Sequence, residues 1–479
     1  MNKPNIVFIL TDDQGFWTLG CYGNKETKTP NLDRLAAKGM LFRNFFCTSP
    51  VCSPARASLL TGRIPSSHGI HDWLRAGDTT SVKDEPDGQG RTVEYLAGMT
   101  GYTDVLDDNG YFCGLSGKWH MGDSHTPQKG FKFWEAHAKG GSPYYKAPVV
   151  DGQKVVYEEE YYTDAVTRHA VEFIDIAVQK DAPFYLSVHY TAPHSPWSRE
   201  NHPEETWDRY FNECPFESAP WGLDKPEWAK KFNIPIDNDK DRRNALSGYY
   251  TAIEHMDMGV GRIVDHLEKT GQLENTLICF TSDNGMNMGH HGVFGKGNAT
   301  FPMNMFEESV KVPFIVSMPG TVPEGIVSEA MLSHYDFMPT LLDFVGLNMP
   351  EDEKLPGQSF ASLLRGEDFS GHEDVVIYDE YGPVRMIRTA KWKYIHRYVY
   401  GPHELYDLEN DPGETNNLYG NEEYQTVSRE LAVRLEKWFV KYADPEKDGA
   451  KQPVTGLGQL AMIPFDGSRE NAYFPRDIN

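Results

Sequence analysis

The chain has 479 residues, more than one ordinary domain requires, which leaves room for a large core and a smaller companion domain. With 46 Lys and Arg against 70 Asp and Glu, its formal charge of −24 has the wrong sign for general attraction to nucleic acid or an anionic membrane, so an anionic substrate needs a local basic pocket. Hydrophobic content of 39% excludes a disordered chain, and six cysteines (Cys21, Cys47, Cys52, Cys113, Cys214, Cys279), none paired as CxxC, exclude a disulfide scaffold and a paired-cysteine zinc site.

The first element is the apolar run Asn5 to Leu10, which meets Thr11-Asp12-Asp13 at once and has no small-residue cleavage site after it. It reads as a strand rather than a signal peptide, so the expected location is cytoplasmic as the sequence stands, or exported if a leader preceded this numbering. Next come a helix from Cys52 to about Leu60 and a surface loop over Lys83 to Gly90. Further apolar runs follow: Tyr111 to Gly117 before Lys118-Trp119-His120, Pro183 to Tyr190 before Ala192-Pro193-His194, Thr276 to Phe280 before Ser282-Asp283-Asn284, and Val312 to Gly320. Runs of this length, bounded by turns and without clean alternation, suit strands covered on both faces. Between them, Ala165, Val166, Ala170, Phe173, Ile174 and Ala177 keep helical spacing, as do Ile253, Met256, Val260, Ile263, Val264 and Leu267. This alternation predicts an α/β fold with a large, mostly parallel mixed sheet sandwiched by helices over residues 1–365. Beyond it, Val384 to Arg388, Trp392 to Tyr400 and Glu404 to Leu408 read as short strands, Thr426 to Tyr442 as an amphipathic helix, and Asp444 to Gln452 as a loop. Residues 366–479 are therefore expected to form a smaller C-terminal α+β domain with a short antiparallel sheet. No stretch approaches the roughly 20 apolar residues that cross a bilayer, so neither a membrane nor nucleic acid is an expected partner.

In a parallel sheet the site gathers beyond the carboxyl ends of the strands, where the polar clusters fall. Asp12-Asp13 places two carboxylates side by side, costly by repulsion unless a cation neutralises them. Asp283-Asn284 adds a carboxylate and an amide oxygen at a distant strand end. The resulting all-oxygen set suits Ca²⁺ or Mg²⁺ rather than zinc, although each pair alone also fits a solvated turn. Pro54 suits a first helical turn and Gly62 a helix end, so Cys52 stands at a helix amino terminus, with Arg56 one turn on along the same face. Taken alone, a buried cysteine ahead of a routine helix gives the same pattern.

Cys52-Ser53-Pro54-Ala55-Arg56, with the tail Leu59 to Arg63, resembles the C-x-P-x-R signature of the type I sulfatases, in the alkaline phosphatase superfamily. The resemblance continues in order through Thr11-Asp12-Asp13-Gln14, Gly117-Lys118-Trp119-His120, His194, Ser282-Asp283-Asn284-Gly285, Gly295-Lys296-Gly297, and the carboxyl-terminal Glu404 to Leu408 and Asp411 to Leu418. It implies hydrolysis of sulfate esters, with Cys52 converted to formylglycine by a maturation enzyme. It also implies one divalent metal, Ca²⁺ ahead of Mg²⁺, held by Asp12, Asp13, residue 52, Asp283 and Asn284. A hydroxyl of hydrated formylglycine attacks sulfur while Arg56, Lys118 and Lys296 share the sulfate charge. His194 serves the leaving alcohol, and His120 deprotonates the second hydroxyl so that sulfate is expelled. The Glu404 to Leu408 and Asp411 to Leu418 elements are expected to tie the small domain down.

Of the residues that could meet the alcohol, His68, His71, Trp73, Arg75, Trp197, His290 and His291, the segment Gly289-His290-His291-Gly292 is the leading expectation, with Trp73 and Arg75 beside it. Their polar character leans toward a sulfated carbohydrate, with an aryl sulfate as the alternative. Two competing readings stand: a phosphate or phosphonate monoester hydrolase of the same superfamily, and a catalytically silent calcium-binding homologue in which Cys52 stays a thiol.

Overall fold

A computed structural model describes residues 3–80, 91–229, 234–352, 354–369, 376–398, 401–464 and 472–475. The loop expected at Lys83 to Gly90 and the strand end expected at Tyr400 lie outside these residues. In chain order the strands are β1 (Asn5–Thr11), β2 (Met40–Phe46), β3 (Phe112–Lys118), β4 (Phe131–His137), β5 (Ala147–Asp151), β6 (Lys154–Glu158), β7 (Phe184–His189), β8 (Thr276–Ser282), β9 (Asn287–Met288), β10 (Phe294–Gly295), β11 (Lys311–Ser317), β12 (Ile326–Ser333), β13 (Ile377–Tyr381), β14 (Val384–Arg388), β15 (Trp392–Arg397) and β16 (Glu404–Asp407).

Ten of them form one mixed sheet in the order β12-β2-β11-β8-β1-β7-β3-β4-β5-β6. Its centre, β8-β1-β7-β3-β4, is parallel, and β11 runs antiparallel between β8 and β2. Every residue of β1, β7 and β8 is buried, which is why these strands read as unbroken apolar runs. Alternation survives only as a choice of face. Ile6, Phe8 and Leu10 join one core with Ala55, Leu59 and Leu60 of the helix Cys52–Thr61, while Val7 and Ile9 join a second core under the helices Tyr162–Ala177 and Asp239–Lys269. Helices thus cover both faces, and the central strand ends converge: Thr11 pairs with Ser282, Leu10 with His189, and Gly117 with His189.

A second sheet, β13-β14-β15-β16, is antiparallel throughout and packs on the helix Gln425–Tyr442 through Ile387, Tyr394, Leu405, Leu431, Leu435 and Phe439. Its first strand has no counterpart in the sequence expectation, because Asp379 and Glu380 interrupt an otherwise apolar pattern; Glu380 is buried by pairing with Ser66 and Arg385. Among the described residues β15 ends at Arg397. Fully buried Lys393 lies 3.2 Å from Glu307 and 2.7 Å from Glu414, and Glu414 also accepts the Glu307 N–H, so this ion cluster clamps the small sheet onto the large one. The chain then returns to the large unit, where Gln459 pairs with Leu74 and Tyr473.

Candidate active site

The helix Cys52–Thr61 begins after extended Val51 and ends at Gly62, whose φ of 68° only glycine adopts without cost and whose N–H closes on Ser58 O at 2.8 Å. The helix is buried along its whole length, with Cys52 at its first turn. Burial pushes the Cys52 thiol up to about 11 against the opposing pull of Lys118 and Lys296, so the thiol is protonated at neutral pH. Lys296 Nζ donates to Cys52 Sγ at 3.0 Å and also to Asp13 Oδ1.

Beneath Cys52 the strand ends form a dense charge cluster. Arg56 donates from Nε to Asp283 Oδ2 at 2.8 Å and from Nη1 to Lys118 O at 3.0 Å, and Lys118 Nζ donates to Asp12 Oδ2. Although burial alone would raise it, Asp12 is held well below the usual carboxylate range by Lys118, with His194 and Arg56 behind. Asp283 is pushed up to about 7 by burial and by the Asp12 charge. Asp13 adopts φ 62°, a strained left-handed geometry for a non-glycine, held by its N–H to Asp283 Oδ1 and its carbonyl to the Tyr249 hydroxyl.

Two fully buried oxygens in this cluster, Asp12 Oδ1 and Asn284 Oδ1, have no hydrogen-bond partner among the described residues. Orphaned acceptors at such depth are costly, and a cation would satisfy both. Donor atoms of Asp12, Cys52 and Asp283 lie within 4.8 Å of one another, as do those of Asp12, Asp13 and His194. The residues present therefore fit a divalent cation.

Two histidines flank the cluster. His120, at φ 53°, directs Nε2 at Leu74 O (2.9 Å); a carbonyl only accepts, so Nε2 carries the proton and Nδ1, which has no partner among the described residues, keeps its lone pair. His194 likewise donates from Nδ1 to Ser195 O at 2.7 Å, which leaves Nε2, 3.7 Å from Asp13 Oδ2, as the position that gains or loses a proton.

Above these groups opens a cavity of about 740 Å³ whose lining includes Asp13, Cys52, His120, His194 and Lys296. Asp12, Arg56, Lys118, Asp283 and Asn284 form the fully buried layer below. Trp73, Arg75 and Trp197 also line the cavity. His290 and His291, the leading expectation for substrate contact, are not among its lining residues. His291 stacks on Phe306 and bonds Glu308 at 2.9 Å, and His290 packs on Trp17. His68 and His71 are buried as well: His68 meets Ser58, and a side chain at Gly449 would strike His71.

Sequence reasoning missed three contributors. The loop at Lys139, Gly140 and Gly141, held by His137, lies so close to the imidazoles that a Cβ on Gly140 would be 2.2 Å from His120 and one on Gly141 3.0 Å from His194. His189, at the end of β7, donates to Lys118 O at 3.0 Å and helps to fix the Lys118 backbone. Gly456 and Leu457 of the returning carboxyl-terminal segment form one wall of the cavity. The adjacent glycines at 140 and 141 were the one signal available beforehand.

Comparison with known proteins gives a consistent result. The protein-family model described as Sulfatase matches residues 4–347, and that described as N-sulphoglucosamine sulphohydrolase, C-terminal, matches residues 289–441. The chain is 28% identical to an N-acetylglucosamine-6-O-sulfatase of Bacteroides thetaiotaomicron, over 96% of this chain and 90% of that protein. It is 29% identical to an ulvan-active sulfatase of Formosa agariphila, over 93% and 83%. A protein solved in complex with its substrate D-glucosamine-2-N,6-O-disulfate superposes with a TM-score of 0.77 at 25% identity, covering 93% of this chain and 99% of that one. Among the described residues no helix is long and apolar enough to cross a membrane.

Proposed function

This chain belongs to the sulfatase family and hydrolyses sulfate esters, and from that premise we propose that its substrate is a sulfated saccharide and its nucleophile the formylglycine form of Cys52. The observation that carries the reading is the convergence of Cys52 with Asp12 and Asp283, donor atoms within 4.8 Å, beneath a cavity large enough for a sugar. The names of the relatives and of the substrate in the superposed structure support the saccharide.

Asp12, Asp13, Asp283 and Asn284 would hold a divalent cation, Ca²⁺ ahead of Mg²⁺ for an all-oxygen donor set. Bound there, the cation supplies positive charge that favours an ionised hydroxyl on residue 52 and offsets the sulfate oxygens. Hydrated formylglycine supplies two such hydroxyls where the buried thiol offers one protonated sulfur. The remaining work falls to side chains already in place. Lys296 reaches the residue-52 position directly and meets charge developing on the sulfuryl oxygens. Arg56 and Lys118, from below, hold Asp283 and Asp12 in position and add to the positive field. His194, once protonated at Nε2 opposite Asp13, delivers that proton to the departing sugar oxygen, and His120 Nδ1 accepts one from residue 52. A maturation enzyme acting on Cys52 is the implied protein partner. We read residues 1–365 as the catalytic domain and 366–479 as its smaller companion, whose returning carboxyl-terminal segment adds Gly456 and Leu457 to the cavity wall.

The test has two parts. Intact mass of protein produced with a maturation enzyme should show the deficit from exchanging sulfur for oxygen and losing two hydrogens at residue 52, and matured protein should release sulfate from sulfated saccharides faster than from aryl sulfates or phosphate esters. Matured protein that prefers a phosphate ester of the same alcohol overturns the reading.

A further inference from the structure

Three carboxylates at the cavity floor, Asp12, Asp13 and Asp283, face three cations, Lys118, Lys296 and Arg56, and each cation is engaged with at least one of them. Arg75 stands outside this balance. It lines the same cavity, yet among the described residues no carboxylate lies within ion-pair distance of its guanidinium. Burial lowers its pKa and no neighbouring charge opposes that shift. A partly buried guanidinium with no counter-ion among the described residues is open to an anion that arrives from outside.

The carboxyl-terminal segment aims this cation. Arg75 Nη1 donates to Leu457 O at 3.2 Å, the Arg75 N–H donates to Gln459 O at 3.0 Å, and the guanidinium lies over the Phe474 ring at 3.7 Å. Trp73 beside it donates its indole N–H to Gly456 O, and Gly458 donates to the Asp72 carboxylate at 3.0 Å. Gly458 adopts φ 114°, and a Cβ there would be 2.8 Å from Arg75 Cβ. With one side stacked and one N–H engaged, the planar fork is pre-ordered, and its remaining N–H groups suit an anionic oxygen pair.

We propose that Arg75, braced by the carboxyl-terminal segment, binds a second anionic substituent on the sugar, a carboxylate or a further sulfate, so that the enzyme selects acidic saccharides over those whose only charge is the sulfate being removed. This rests on the sulfated-saccharide reading above. The floor cluster handles the reacting sulfate; Arg75 reads the rest of the molecule from the cavity wall.

The experiment compares kcat/KM of matured enzyme on three versions of one sugar: the reactive sulfate alone, with an added sulfate, and with an added carboxylate. Wild-type enzyme is expected to favour one or both acidic versions by roughly tenfold or more, the scale of a charge-assisted hydrogen-bond pair. The two acidic arms identify which anion is bound. Arg75→Gln should bring the ratio of acidic to singly sulfated substrate close to one, chiefly through KM, with Arg75→Lys intermediate. Gly458→Ala, which displaces Arg75 without removing its charge, should lower the same ratio. Wild-type enzyme without preference, or an Arg75→Gln variant that loses activity equally on all three, overturns the proposal. Should no version release sulfate, the sulfatase reading of the site fails separately. Calorimetric binding of the same three sugars then decides on Arg75: a preference lost in Arg75→Gln upholds it, and equal binding overturns it.

Discussion

Lys296 Nζ stands 3.0 Å from Cys52 Sγ while its other hydrogen bond goes to Asp13 Oδ1, so one ammonium group links the residue-52 position to the carboxylate cluster. Lys296 follows Gly295, at φ 130°, and precedes Gly297, where a Cβ would lie 2.5 Å from the Pro50 ring, so its loop is pressed against the turn that leads into the Cys52 helix. Lys296→Ala is expected to lower kcat on a sulfate ester by about 100- to 1,000-fold, the usual cost of removing one pre-aligned charge from a transferring group. Steady-state kinetics on matured enzyme checks this, and a KM change with kcat intact would contradict it.

The two orphaned oxygens, Asp12 Oδ1 and Asn284 Oδ1, predict a stability effect as well as an activity effect of metal removal. Chelation should abolish sulfate release and lower the melting temperature by a few degrees, because a site occupied well above its dissociation constant adds about 2–4 kcal/mol. Ca²⁺ should restore both, and Mg²⁺ less completely. Asp13→Asn should lose most of the metal-dependent rise in melting temperature. Scanning calorimetry with and without chelator gives the comparison.

The placement of the floor residues was legible in the chain because it is written locally. Asp12-Asp13 and Asp283-Asn284 each follow a fully buried strand directly, and Pro54 and Gly62 bracket the Cys52 helix. What surrounds the floor was not legible, because long-range pairing decides it. Gln459 meets Leu74 across nearly the whole chain, and no periodicity announces that Leu457 will hold Arg75. The same cause hid the packing partners of His290 and His291. As a sequence they look like free imidazoles beside a metal motif, but the fold brings Trp17 against one and Glu308 and Phe306 against the other. β13 escaped for a related reason, since its buried Glu380 is matched by Arg385 and Ser66 from other elements.

The glycine at 140 allows its loop to rest on the His120 imidazole, where an added Cβ would come within 2.2 Å of Cε1 and Nε2. Gly140→Ala must therefore shift either the loop or the ring, and a ring shift breaks the Nε2 bond to Leu74 O that fixes the tautomer. The expected result is a fall in kcat of tenfold or more with melting temperature nearly unchanged, on the scale of a misplacement of about 1 Å. An equal loss of stability and activity would instead show that the loop itself had unfolded.

The His291–Glu308 pair, outside the cavity, gives a pH signature of stability. Burial alone would raise Glu308, but the His291 hydrogen bond and the charges of His290 and His291 prevail and hold it at about 2, below its ordinary 4.5. Burial alone would lower His291, yet the Glu308 bond and charge prevail and raise it above 6.5. A depressed carboxylate contributes stability that is present above pH 4.5 and lost as pH falls toward 2. A raised imidazole contributes stability that is present below pH 6.5 and lost as pH rises through its folded value. Both contributions are therefore complete between those two limits. Glu308→Gln should lower the melting temperature by about two to four degrees near the middle of that window, as expected for one charge-assisted hydrogen bond in a chain this long. The gap between variant and wild type should narrow toward pH 3 and again above neutrality. Melting curves across that range measure it, and a gap independent of pH would assign the loss to packing against Phe306 rather than to charge.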